Sequence, residues 1–368
     1  MSPHLQVKFE RPVEGIPILP IYCLFLLHCF LITEFAAIID SEASEFATMK
    51  NRNRAASLLP GPAHELRTQL ARKIALFIGS AENRATDIPG LTLHRRVAPT
   101  APCSVTYEPG LTVIAQGRKR VELGRNIFIY DASRFLLTSV DLPVVSRVIE
   151  ASEEVPCLAL SLKLEMPVVR ELLSREEIDV AEAPSQSPGM SIGETTVEFL
   201  SACCRLLDLL QTPRDIPFLS GLIQREIIYR ILRGAEGARL RAIATLGEQS
   251  HRTAKAIAWI KANYAKPLRV EDLADIAGMG VSTLHHHFRV LAAMSPLQYQ
   301  KQLRLQVARG RMLMDGLDAA SAAFEVGYES ASQFNREYSR FFGQPPMRDI
   351  RTLRSPAAPL LESAPRFP

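Results

Sequence analysis

Val270-Glu-Asp-Leu-Ala-Asp-Ile-Ala-Gly278-Met-Gly-Val-Ser-Thr-Leu284-His-His-His-Phe288 is answered downstream by Asp318-Ala-Ala-Ser-Ala-Ala-Phe-Glu-Val-Gly327-Tyr-Glu-Ser-Ala-Ser-Gln-Phe334-Asn-Arg-Glu-Tyr338. Leu284, Phe288 and Ala293 recur as Phe334, Tyr338 and Gly343 after 50 residues, whereas Ala274 and Gly278 recur as Ala323 and Gly327 after 49. The second turn is therefore one residue longer. Each copy reads as a short helix, a stop at glycine, and a second helix whose apolar residues stand four apart. That is the outline of a helix-turn-helix. Ala274 is small enough for the two helices to cross closely, Gly278 supplies a turn conformation that a β-carbon opposes, and Ser282 is suited to start the second helix.

In each unit the pattern leaves one face free. Leu284 and Phe288 turn inward, with Thr283, His285, His286 and Arg289 around the outer side; Phe334 and Tyr338 turn inward, with Ser332, Gln333, Asn335 and Arg336 outside. Gln and Asn can pair with adenine at two atoms, and Arg with guanine. Pro296–Met314 reads as one helix between the copies. At 1.5 Å per residue it spans about 30 Å, close to the ~34 Å turn of B-DNA, so it can hold two reading helices in successive major grooves. Arg289, Lys301, Arg304, Arg340 and Arg348 are the candidates for backbone phosphates, which set register without specifying sequence.

Charge is distributed to match. The 368 residues carry a net +4, but residues 251–354 hold 15 Lys/Arg against 9 Asp/Glu, and the rest of the chain is slightly acidic. A basic segment coinciding with the repeat suits a duplex partner. The cysteines at 23, 29, 103, 157, 203 and 204 show no Cys-x-x-Cys spacing, which argues against a zinc ligand set or a disulfide framework. They read as packed thiols; Cys103 and Cys157 as sensors would need exposure and a lowered pKa.

Upstream, residues 64–80 read as an amphipathic helix along Leu66, Leu70, Ile74 and Phe77. From 88 to 165 the period shortens to β-branched runs separated by Pro, Gly and Asp, the signature of a small β-barrel or sandwich. Helices return at 167–177, 195–210 and 217–232, with a loop at 184–189. The fold class is α+β: an N-terminal small β-barrel with helices at 64–240, then an all-α domain with two helix-turn-helix units at 249–354, then a flexible tail at 355–368. Residues 1–48 contain the apolar run Ile16–Ile32, which is short for a membrane helix and holds Pro17, Pro20 and His28. It reads as a weak membrane anchor, as a poor secretory signal, or as sequence upstream of a start at Met49. The composition favours the last.

At Gly327-Tyr-Glu-Ser-Ala-Ser-Gln-Phe-Asn-Arg-Glu-Tyr-Ser-Arg-Phe-Phe-Gly-Gln-Pro-Pro the chain resembles the AraC/XylS family of bacterial transcription regulators. The resemblance covers about 251–354. It implies that Ser282, His285 and His286 match base-facing positions of the first reading helix, and Ser332, Gln333 and Arg336 those of the second. The His285-His286-His287 run departs from the Arg or Gln common there. Asp87-Ile-Pro-Gly-Leu, Tyr107-Glu-Pro-Gly-Leu, Gln116-Gly-Arg-Lys-Arg-Val-Glu-Leu-Gly and Ser139-Val-Asp-Leu-Pro-Val are similar to the cupin-like N-terminal domain of one AraC-type subgroup. That implies effector sensing or homodimer contacts. The implied partners are double-stranded DNA, RNA polymerase and a small-molecule effector, in the cytoplasm at the nucleoid, with no cofactor and no metal.

Competing readings are a membrane-tethered regulator through Ile16–Ile32 and a cupin-type metalloenzyme. The barrel segment offers only His94, where a non-haem oxygenase needs two His and a carboxylate. Three consecutive helical histidines point about 100° apart and cannot ligate one ion. Arg118-Lys119-Arg120 reads as a solvated hairpin edge or, alternatively, as a grip for an anionic effector.

Overall fold

The structure, a computed structural model, describes residues 61–175, 188–245 and 248–354. The apolar run Ile16–Ile32, Met49, most of the loop expected at 184–189 and the tail at 355–368 lie outside the described residues. Among the described residues, no helix is long and apolar enough to cross a membrane.

Helix α1 (Pro62–Ile78) leads into β1 (Asn83–Ala85), β2 (Leu91–Arg96), β3 (Cys103–Tyr107), β4 (Gly110–Gln116), β5 (Arg118–Leu123), β6 (Asn126–Asp131), β7 (Arg134–Thr138), β8 (Leu142–Glu150) and β9 (Cys157–Lys163). Helix α2 (Met166–Leu173), β10 (Met190–Glu194), α3 (Val197–Asp208), α4 (Ile216–Arg233) and α5 (Gly237–Ala244) complete the N-terminal half. The β-branched runs expected between 88 and 165 are β2 to β9. Strands β1 and β10 were not expected, whereas α5 lies in the helical approach to His251 expected after the break at 234–237. The strands form two antiparallel sheets, ordered β1-β2-β9-β4-β7-β10 and β3-β8-β5-β6. The architecture is thus an open two-sheet, cupin-like sandwich rather than a closed barrel.

Alternation decides what each face of the larger sheet buries. Leu91, Leu93, Leu111, Val113, Phe135, Leu137, Leu160 and Leu162 share one apolar cluster with Leu70 and Ile74 of α1 and Phe199 and Leu206 of α3. The facing side presents Ile114, Leu136 and Ala159 to Val121, Tyr130 and Val144 of the smaller sheet. That second cluster continues into the C-terminal helices, taking in Leu284, Phe288, Tyr299, Phe334 and Tyr338.

The C-terminal helices are α6 (Gln249–Ala262), α7 (Val270–Ala277), α8 (Val281–Ala292), α9 (Pro296–Met314), α10 (Ala319–Glu325), α11 (Ala331–Phe342) and α12 (Pro346–Arg354). Polar links reinforce their apolar seam with the sandwich. Lys261 of α6 pairs with Glu108 and Asp141 at 2.8 and 2.6 Å. Tyr299 Oη donates to the Asp141 carbonyl at 3.0 Å, and Gly189 N–H to the Leu291 carbonyl at 2.8 Å.

Candidate nucleic-acid interface

The two repeats close with the same turn. Met279 N–H donates to the Ala274 carbonyl and Gly278 N–H to that of Asp275; Tyr328 N–H donates to the Ala323 carbonyl and Gly327 N–H to that of Phe324. This paired six-to-one and five-to-two pattern is the Schellman motif, which needs a left-handed residue. Gly278 (φ 65°) and Gly327 (φ 87°) supply it. The reading helices α8 and α11 end alike too, at Ala293 (φ 58°) and Gly343 (φ 81°).

Their starts differ. Ser330 caps α11 by accepting from Gln333 N–H at 3.4 Å. Helix α8 begins at Val281 behind Gly280, with no side-chain cap. Ser282 therefore lies inside the first turn and does not start the helix as the sequence suggested. Between them, α9 is the 19-residue helix expected, opened by a capping box in which Ser295 and Gln298 bond reciprocally. Tyr299 and Leu303 fix it in the core.

In α8, Leu284, Phe288 and Leu291 are buried, while Ser282, Thr283, His286 and Arg289 are exposed. His285 and His287 are half-buried. The His286 and His287 rings meet edge to face, 5.1 Å apart. Burial, with the His286 charge second, holds the His287 imidazole below its ordinary range. In α11, Phe334 and Tyr338 are buried, while Ser332, Gln333, Asn335, Arg336 and Arg340 are exposed. Asn335, Arg336 and Arg340 border one shallow groove with Ser339, Pro345 and Met347. Asn335 belongs to this surface although the resemblance did not bring it into the base-facing set. Its outward register in the sequence had already set it beside Ser332, Gln333 and Arg336.

The phosphate candidates separate into groups. Arg289, Arg340 and Arg348 are exposed, Arg348 on α12, a helix not expected. Lys301 pairs with Glu337 at 2.8 Å, and Glu337 also accepts from Tyr328 Oη at 2.9 Å. Arg304 needs correction. Its Nε donates to the Tyr264 carbonyl at 2.7 Å, Nη1 to that of Gly327 at 3.0 Å, and Nη2 to those of Ala265 and Lys266 at 3.2 and 2.9 Å. A guanidinium spent on four carbonyls holds the second turn in place and is not free for a phosphate.

Elsewhere, His94 bonds Asn83 Oδ1 at 2.9 Å and Ser161 Oγ at 2.8 Å. No group of three or more His, Cys, Asp or Glu stands together at metal-binding range among the described residues. Cys157, Cys203 and Cys204 are buried, and burial raises all three thiols, Cys204 to about 11. Cys103 is half-buried. Of the 118–120 run, Arg118 and Arg120 pair with Glu150 and Glu122, whereas Lys119 lines two cavities that the sandwich strands border, one of them shared with the C-terminal helices.

Residues 87–239 match the family described as "AraC-type transcriptional regulator N-terminus", and residues 273–351 match a helix-turn-helix domain family. The chain belongs to the AraC/XylS family of transcription regulators. This AraC-type chain is 26% identical over 153 residues to the transcriptional regulator ArgR of Pseudomonas aeruginosa, covering 42% of this chain and 46% of ArgR. It is 28% identical over 105 residues to the transcriptional activator RhaS of Yersinia pestis, covering 28% of this chain and 38% of RhaS. The chain thus matches less than half the length of each of these relatives. An apo structure of a ToxT variant from Vibrio cholerae aligns over 73% of this chain and 99% of that one, at 10% identity and a TM-score of 0.47.

Proposed function

We propose that this AraC-type chain is a sequence-specific regulator that reads duplex DNA with both helix-turn-helix units. Base choice rests on Ser282, His285 and His286 in α8, and on Ser332, Gln333 and Arg336 in α11. Arg289, Arg340 and Arg348, with Lys301 when it leaves Glu337, engage phosphates. The sandwich half senses a small molecule or a second copy of the chain, and RNA polymerase is the downstream partner at the nucleoid. The observation that carries this reading is the duplicated frame: two glycine turns closed by the same pair of backbone hydrogen bonds, presenting two exposed polar helix faces, joined by one capped helix.

Selection of bound duplexes from a random pool tests it. The expected result is a site with two informative blocks whose centres lie about one helical turn apart. Recovery of no preferred sequence, or of a single block, contradicts two-helix reading.

A further inference from the structure

Glu337 stands where three parts of the second helix-turn-helix converge. Its Oε1 lies 2.8 Å from Lys301 Nζ of α9 and accepts from Gln333 Nε2, one turn earlier in α11, at 3.4 Å. Its Oε2 accepts from Tyr328 Oη, in the turn before α11, at 2.9 Å. Tyr328 is itself buried, with its ring edge to face on Phe334 at 5.3 Å. One oxygen of the carboxylate is thus anchored to the core, and the other faces Gln333 and Lys301. Burial acts to raise the Glu337 carboxyl; the bonds from Lys301, Tyr328 and Gln333 outweigh it and hold the group below its ordinary range. Glu337 is therefore ionised at neutral pH, and an ionised carboxylate can only accept.

The consequence falls on Gln333, whose side chain is exposed on the reading face of α11. A glutamine amide has one accepting end and one donating end, and a free one turns either toward a base. Beside Glu337 only Nε2 can lie against the carboxylate. A flipped amide would set Oε1 against a charged oxygen and lose a charge-assisted bond. Oε1 is therefore the end left for the groove. Major-groove edges divide on this point. Adenine and cytosine offer an amino donor, N6 or N4, whereas guanine and thymine offer a carbonyl acceptor, O6 or O4. A fixed outward carbonyl bonds the first pair and repels the second.

We propose that Glu337 is a positioning residue for base choice: by holding Gln333 Nε2 it fixes Oε1 as the reading atom, so that this position takes an amino-bearing base on the strand it faces and rejects a carbonyl-bearing one. Tyr328 sets the place of the carboxylate, and continues to do so when Lys301 leaves for a phosphate. The inference rests on the DNA-reading function proposed above and adds to it a residue that acts through Gln333.

The test uses the full chain and a selected duplex. The base pair read by Gln333 is the one at which Gln333→Ala relaxes choice. Duplexes differing at that pair alone are then titrated by fluorescence anisotropy. The quantity read is the affinity for the better amino-bearing base divided by that for the better carbonyl-bearing base. The wild-type ratio is expected to be at least about fivefold, one good base contact. Glu337→Met, which removes the acceptor at similar volume, is expected to cut the ratio more than threefold, because the freed amide turns its nitrogen to guanine or thymine. Glu337→Ala, which brings in no new side chain, is expected to repeat this. In a Gln333→Ala background Glu337→Met is expected to leave the ratio unchanged. A purely structural role for Glu337 would weaken every duplex alike and leave the ratio as it was. A wild-type ratio below about fivefold, a cut of threefold or less, or a further change in the Gln333→Ala background overturns the proposal. If Gln333→Ala relaxes no position of a preferred site, the proposal fails and DNA reading stands. If no sequence is preferred at all, the function proposed above fails and this inference falls with it.

Discussion

Lys261 Nζ lies 2.6 Å from Asp141 Oδ1, so an ammonium on the first C-terminal helix is seated on a carboxylate of the sandwich. The same ammonium reaches Glu108 at 2.8 Å. Burial dominates at Asp141 and lifts its carboxyl above the ordinary range. At Glu108, burial is outweighed by Lys261 and Lys163, and the carboxyl stands below its usual range. Lys261→Met is expected to cost about 2 kcal/mol at neutral pH, because a half-buried acid loses its cation. Without Lys261, Asp141 is raised further, so its penalty is present above that raised value and is relieved as the pH falls through it. Denaturant titrations of both proteins from pH 7 to pH 4 check this; a deficit that grows on acidification contradicts it.

The paired glycine turns differ in surroundings. A β-carbon at Gly327 would sit 2.0 Å from the Ala265 carbonyl oxygen, whereas one at Gly278 meets nothing within 4 Å. Both positions are left-handed, so alanine costs about 1 kcal/mol at either from backbone conformation alone. Gly278→Ala is expected to stay near that figure, and Gly327→Ala to exceed about 3 kcal/mol through the added clash. Thermal unfolding of the two variants ranks them, and equal losses would remove the Ala265 contact as the reason.

Arg304 and Arg340 both read as phosphate ligands in the sequence, and the structure separates them. Arg340→Ala is expected to weaken all duplexes alike and to reduce the slope of log affinity against log salt by about 1. Arg304→Ala strands four carbonyl partners. It should lower stability by about 3 kcal/mol. It should leave the salt slope unchanged at temperatures where the protein stays folded. A reduced slope for Arg304→Ala restores it to the phosphate set.

The repeat was legible because glycine, small residues and apolar steps of four are local signals. The strands β2 to β9 were legible for the same reason, as alternating runs cut by Pro and Gly. What escaped depends on partners far along the chain. Met190-Ser-Ile-Gly-Glu is a weak strand by composition and becomes β10 by pairing with 134–138. Arg304 sits on an outward-looking helical step, yet the carbonyls it binds come from 264–266 and 327. Lys119 reads as one of three hairpin-edge charges, and only the facing of the two sheets turns it inward. Glu337 gathers donors from Lys301, Tyr328 and Gln333, a convergence that no local pattern encodes.

In the function proposed above, α11 reads bases through Arg336. Duplex selection repeated with Arg336→Ala tests it most directly. The expected result is a loss of ~1–3 kcal/mol on the wild-type site and relaxed choice at one base pair of one block, with the other block unchanged. An equal loss on the selected site and on random duplex, with every position's preference intact, would contradict it.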